Sequence, residues 1–297
     1  MEEIKYKEYF LFMLYPYKRE EIDESQINQI EITESDVYRV LGEIGKIERK
    51  KDEKIQITLI LDSVGGEIYP SYKIINLLRN KCDKLSVFIP EKAKSAATLM
   101  TLGADEIIMS AESELGPLDL PMREHPMLEE MKEFSALDVV RPFSLLYDNA
   151  KNLAINNLGI VLRKNVGLSR KDSVKIALEF SKDYVNPIIC KIDPLLFSKS
   201  YRLLQIAQEY AREFLARYMF KNDSYETKLK KSESIAYELV WGFPEHGFVI
   251  NRERARKQLK LNIVDVESFK GLSEFGKNLL NKPVMEKIIK LNKELKL

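Results

Sequence analysis

The chain has 297 residues, 45% of them hydrophobic, enough for a sizeable buried core in one large domain or two ordinary ones. Its 47 basic and 46 acidic side chains nearly cancel to a net charge of +1, so no overall field draws it to nucleic acid or to an anionic membrane. Two cysteines, Cys82 and Cys190, far apart and without ligand spacing, suggest neither a disulfide framework nor a zinc site.

The first apolar run, Tyr9 to Tyr17, is too short to span a bilayer, which takes about 20 residues, and it lacks the flanks of a signal peptide. It reads as a first strand of a cytoplasmic protein. A helix is expected next, with Ile32, Val37, Val40, Leu41, Ile44 and Ile47 at helical spacing and Thr33, Ser35 or Asp36 at its start. Ile55 to Leu61 is β-branched and reads as a buried strand. The turn Asp62 to Glu67 follows, then an amphipathic helix from Ile68 to Asn80. Leu85 to Ile89 is the next strand, Ser95 to Gly103 the next helix, and Ile107 to Met109 a third strand. Such alternation predicts parallel crossover units and an α/β class.

From Met122 onward the periodicity is helical, over Met127 to Phe134, Phe143 to Val161, Ser169 to Phe180 and Pro194 to Phe220. Residues 221–234 read as a polar connection or a frayed helix end. WGFPEHGFVI is irregular, RERARKQLKLNIVD a helix running into a short strand, and Phe269 to Leu297 an amphipathic, basic docking helix. There is no internal repeat. The expected organisation is a single domain: an α/β core over 1–121, a mainly helical insertion over 122–234, a return to the core over 235–268 and a C-terminal helix over 269–297.

The chemistry concentrates between Ile57 and Asp119. Gly65 and Gly66 stand where a strand ends, so their amides are free of the ladder and can approach an oxyanion without a side chain intervening. Ser95 stands at a helix start, where the positive end of the dipole favours developing negative charge. Singly, a Gly-Gly after a strand is most often a turn and a serine at a helix start most often a cap. Two such turns on adjacent βα units, at the carboxyl edge of one sheet, form the better candidate site.

DSVGGEI, AKSAATLMTLGADEI and ELGPLD resemble the serine dehydrogenase proteinase family, within the Clp protease, signal peptide peptidase and crotonase-like fold group; the likeness extends through KIDPLLFSKS, ARYMF, EHGFVI and the Ala255 to Leu261 pattern, roughly residues 30 to 265. The resemblance implies a Clp/crotonase-like spiral of βα units with an additional helical region. It implies a serine endopeptidase-like hydrolase with Ser95 as nucleophile and the amides of Gly66 and Ala96, with Gly65, as oxyanion hole. The substrate would be a peptide or protein laid as an extended strand. No metal, cofactor, nucleotide motif or nucleic-acid partner is implied, and a homo-oligomer is expected. Two departures stand out. Gly-Pro-Leu-Asp runs into Leu120, Pro121 and Met122 where the family usually reads Gly-Pro-Ile/Val-Asp-Pro-Gln, and Ala97 stands where glycine is frequent.

A serine needs a base. His246, in EHGFVI, matches a His-Gly signature of the family and is the first candidate, with His125, Lys151, Lys191 and Lys132 as alternatives; any one lysine is more often a solvated charge. Lys94 adjoins Ser95 but is expected to point elsewhere. Of the aspartates, Asp62 and Asp105 read as turn or cap carboxylates, and Asp119 as an outside candidate to support the base. The rival readings are a Clp-fold scaffold or regulator without a working base, and a crotonase-type acyl-CoA enzyme.

Overall fold

The computed structural model describes residues 5–16, 30–120, 122, 135–163, 167, 169–191, 193–281 and 284–296. The contacts divide the chain into two compact units, one of residues 1–120 and 204–297, the other of residues 121–203.

The first unit is built on a six-stranded sheet. Strands β1 (Tyr6–Leu14), β2 (Lys54–Asp62), β3 (Lys84–Ile89), β5 (Glu106–Met109), β8 (Ile263–Asp265) and β9 (Ile288–Asn292) lie in the order β8-β5-β3-β2-β1-β9. All neighbours are parallel except β9, which runs antiparallel to β1. A parallel sheet is covered on both faces, which is why its strands read as continuous apolar runs. Leu11, Phe12, Met13 and Leu14 of β1 and Leu59, Ile60 and Leu61 of β2 are all fully buried. One face holds Phe12, Leu14, Ile60, Phe88 and Ile108 against Phe275 and Leu279 of helix α9 (Lys270–Asn281). Each such side chain, fully buried, contributes about 1.5–3 kcal/mol.

Helices α1 (Glu34–Gly45), α2 (Ile68–Lys81) and α3 (Ala96–Leu102) are the crossovers. Thr33 precedes α1 as its N-cap, and the Asp36 carboxylate accepts the Thr33 amide at 3.0 Å. A second, small sheet joins β4 (Lys92–Ala93), β6 (Glu114–Leu115) and β7 (Ile250–Asn251) in the order β4-β6-β7. Helix α8 (Arg252–Lys257) leads from it to β8.

The second unit contains α4 (Ala136–Arg163) and α5 (Arg170–Ile189), which pack on each other around an apolar cleft of about 440 Å³ lined by Phe143, Leu146, Ala150, Val185 and Ile189. Helix α6 (Pro194–Phe214) continues as a π turn over Leu215–Met219.

The expected strands and helices of the first 120 residues are present. One later expectation is sharpened and one differs. Residues 221–234, expected as a polar connection or a frayed helix end, fall largely within a helix, α7 (Tyr225–Tyr237), which Ser224 caps by accepting the Thr227 amide. The C-terminal stretch is not one docking helix: α9 ends at Asn281, and β9 then pairs with β1 because Ile288, Ile289 and Leu291 supply a strand pattern to an open sheet edge. The helix expected over Met127 to Phe134 lies outside the described residues. No described helix is long and apolar enough to cross a membrane.

Candidate active site

The glycine turn is held from two sides. On one, the Ser63 amide donates to the Lys92 carbonyl at 2.9 Å and the Lys94 amide to the Ser63 carbonyl at 3.1 Å, which ties the end of β2 to the strand that leads into Ser95. On the other, the Ile32 amide donates to the Gly65 carbonyl at 2.9 Å and the Glu67 amide to the Ile32 carbonyl at 2.8 Å. In a parallel bridge of this kind the amide of the bracketed residue, here Gly66, points away from the partner. Both glycines have positive φ, 109° at Gly65 and 146° at Gly66, and neither has room for a side chain. A Cβ on Gly66 would sit 2.4 Å from the Ile32 nitrogen and oxygen; one on Gly65 would sit 2.8 Å from the Lys94 oxygen and 2.9 Å from Ser95 Cβ.

Ser95 itself has φ 50° and ψ −121°, the second position of a type II′ turn, which glycine normally occupies. The turn closes with the Ala97 amide donating to the Lys94 carbonyl at 2.9 Å. Keeping a side chain there costs about 1–3 kcal/mol. Ser95 is 1% exposed, and its hydroxyl donates to the Asp119 backbone carbonyl at 2.9 Å. Ala96 opens α3, so its amide belongs to the first turn, which has no intrahelical acceptors.

Thr98, one turn further, pins this region. Its hydroxyl lies 2.7 Å from the Ala93 carbonyl and 2.9 Å from that of Gly116, and accepts the Gly116 amide at 3.2 Å. Within the stretch SAAT only small size is legible; this polar tie has no local signal. Lys94 points elsewhere, as expected: its ammonium pairs with Glu114 at 2.9 Å and donates to the Leu115 carbonyl.

The residues read from the sequence are thus brought together in part. Gly65, Ser95 and Ala96 are immediate neighbours, and Gly66 continues the same turn. His246 is half-buried on the irregular segment between the π turn Glu238–Gly242 and β7, with a buried Nδ1 that has no hydrogen-bond partner. The elements on either side of that segment are tied to the site region by backbone contacts: the Leu118 amide donates to the Leu239 carbonyl of the π turn at 2.8 Å, and Ile250 of β7 pairs with Leu115. The Ser95 hydroxyl is bonded to Asp119 and not to His246. Lys151 and Lys191 are exposed residues of the second unit, and His125 and Lys132 lie outside the described residues. Asp62 and Asp105 are structural, but not as the turn or cap carboxylates expected: Asp62, at the end of β2, accepts the distant Lys92 amide at 3.1 Å, and Asp105 pairs with Arg79 at 2.6 Å. Among the described residues no cluster of His, Cys, Asp or Glu could hold a metal ion.

Residues 27–160 match the ClpP-like SDH-type serine proteinases. The resemblance read from DSVGGEI and AKSAATLM is therefore shown over this stretch, and with it the ClpP-like α/β fold; the part of the resemblance beyond residue 160, including His246, lies outside the match. Among curated proteins, the chain is similar to two uncharacterized proteins of Methanocaldococcus jannaschii. One is 36% identical over 84 residues, 28% of this chain and 29% of the relative; the other is 30% identical over 104 residues, 34% of this chain and 36% of the relative. The matched stretch thus spans about a third of the length of these relatives. Among solved structures, a mutant of a membrane-bound stomatin-specific protease overlaps 49% of this chain and 64% of its own with a TM-score of 0.30 and 16% identity.

Proposed function

We propose that this chain is a serine peptidase-like hydrolase that cleaves peptide bonds through an acyl-enzyme on Ser95. The observation that carries the reading is the Ser95 turn: a side chain is retained, at a cost in strain, at a position where glycine would be relaxed, and it abuts a glycine that has no room for one. In this mechanism Ser95 Oγ gives its proton to a base and attacks the scissile carbonyl carbon. The oxyanion is held by the amides of Gly66 and Ala96; the Gly65 amide, expected as a further donor, instead donates to the Ser63 hydroxyl at 3.1 Å. The C–N bond breaks, the amine leaves with the proton, and water hydrolyses the ester.

His246 is the base of this proposal. Its unpartnered Nδ1 and the backbone ties that link the elements flanking its segment to Leu115 and Leu118 support that role. The substrate is a peptide or protein segment in extended form, whose backbone pairs beside the glycine turn. A cytoplasmic location and a homo-oligomer belong to the same reading, and no cofactor is required by it.

A second reading has its own observation. The Ser95 hydroxyl is buried and donates to a backbone carbonyl, an arrangement that a scaffold lacking a base would also keep. A fluorophosphonate probe separates the two. Labelling of the wild type that disappears in Ser95→Ala supports the hydrolase; labelling that persists in Ser95→Ala removes the nucleophile; no labelling of either favours the scaffold. Loss of labelling in His246→Ala, with Lys151→Ala and Lys191→Ala unaffected, supports the base.

A further inference from the structure

A buried cluster lies behind the glycine turn. Lys287, just before β9, is 5% exposed in its side chain, and its ammonium pairs with the fully buried Asp36 at 3.0 Å. The same ammonium donates to the Glu31 carbonyl at 2.8 Å and lies over the Tyr15 ring at 4.8 Å. Asp36 in turn accepts the Tyr15 hydroxyl at 3.1 Å and the Thr33 amide at 3.0 Å. Burial pushes the Lys287 ammonium below its ordinary value, against the pull of Asp36, so the charge is held there at a cost.

What this cluster fixes is residues 31 to 33. Lys287 grips Glu31, Asp36 grips Thr33, and Ile32 between them makes both hydrogen bonds that bracket Gly66. The Gly66 Cα packs so closely on Ile32 that no side chain fits. We infer that Lys287 and Asp36 are positioning residues for the Gly66 amide: the ion pair sets the place of Ile32, and Ile32 sets the direction of the donor. This rests on the hydrolase reading above, because it gives the turn a job. A buried pair serving stability alone needs no link to this turn, since well-packed apolar residues often replace such pairs without loss. Misplacing a catalytic donor by about 1 Å costs on the order of a hundredfold in rate.

The test is the saturation kinetics of fluorophosphonate labelling at Ser95, well below the melting temperature of every variant. Lys287→Met is expected to lower the maximal labelling rate about 10–100-fold with little change in half-saturation. Lys287→Arg, which keeps a donor and the charge, should recover most of it. The double variant Lys287→Met with Asp36→Asn leaves no uncompensated charge and guards against a single variant that fails to fold; it should remain slow. Asp105→Asn breaks an ion pair at the amino ends of the strands and serves as the stability control, with an unchanged rate. Normal labelling in the folded double variant, or a loss no larger than in the control, overturns the inference while leaving the hydrolase intact. A wild type that does not label at all removes the hydrolase reading and this inference with it.

Discussion

The Ser95 hydroxyl donates to the Asp119 backbone carbonyl at 2.9 Å. A carbonyl can hold the hydroxyl but cannot take its proton, so in the proposed mechanism this bond is exchanged for one to a base before attack on a substrate. The bond also contributes to stability, which gives the serine two opposed energetic effects: a hydrogen bond worth about 1 kcal/mol and a strained turn costing about 1–3 kcal/mol.

Replacing Ser95 separates those effects. Ser95→Ala and Ser95→Gly both lose the hydrogen bond and both abolish labelling, but only glycine relaxes φ 50°. Ser95→Gly should therefore be more stable than Ser95→Ala by about 1–2 kcal/mol, read from urea unfolding of the two variants. Equal stabilities would show that the turn stores no strain.

Gly66→Ala should be far worse than an ordinary glycine replacement. The added methyl meets backbone atoms of Ile32 at 2.4 Å, which no side-chain rotation can relieve, and φ 146° is strained for alanine. Loss of at least about 2 kcal/mol is expected, together with loss of labelling in whatever fraction folds. By contrast, Gly45→Ala, where a Cβ meets nothing within 4 Å, should fold and label as wild type.

Acid should weaken the protein partly through Asp105. Burial alone would raise its carboxyl, but bonds from Arg79, Lys221 and the Leu85 amide outweigh it and hold the group below the ordinary 3.8. The stabilisation is therefore complete above that value and is lost as pH falls through the lower folded one. Asp105→Asn leaves Arg79 buried without its partner and should cost about 3 kcal/mol at pH 7. The gap between variant and wild type should narrow in unfolding titrations below pH 3.8. A gap independent of pH would contradict this.

The two cysteines should react very differently. Cys82 is buried, and burial pushes its thiol up to about 12, whereas Cys190 is exposed. The thiolate is the reactive form. Alkylation under mildly basic conditions should modify Cys190 quickly and Cys82 only on unfolding, with mass spectrometry of the digested protein as the readout. Equal rates at the two positions would refute the assignment.

Much of the site is legible in the sequence because its signals are local. Ile55 to Leu61 followed by Gly-Gly specifies a buried strand and a turn with positive φ, and Ser95 followed by small residues specifies a helix start. What is not legible depends on distant partners. Lys287 sits in a basic, alternating segment with nothing nearby to mark it as buried; its carboxylate is 251 residues away. The short run Ile288 to Asn292 reads as the end of a helix because its pairing edge, β1, is remote, and a strand of five residues carries too weak an alternation to stand alone. The helix Tyr225–Tyr237 is only half legible for another reason, since its surface is polar and leaves a connection and a helix end as equal readings, with the Ser224 cap marking the start. The proposed base is the least legible part, because the segment that carries His246 is tied to the region only through its flanking elements, such as the pairing of β7 with β6.

In the sheet, β1 is flanked by β2 on one edge and by β9 on the other. Of the six strands, the first to leave a ribosome therefore receives its second neighbour from the last, and the ion pair between Asp36 and Lys287 closes with it. Synthesis order and sheet order run against each other at this edge, so a nascent chain carries an open strand and an unset glycine turn until β9 has emerged.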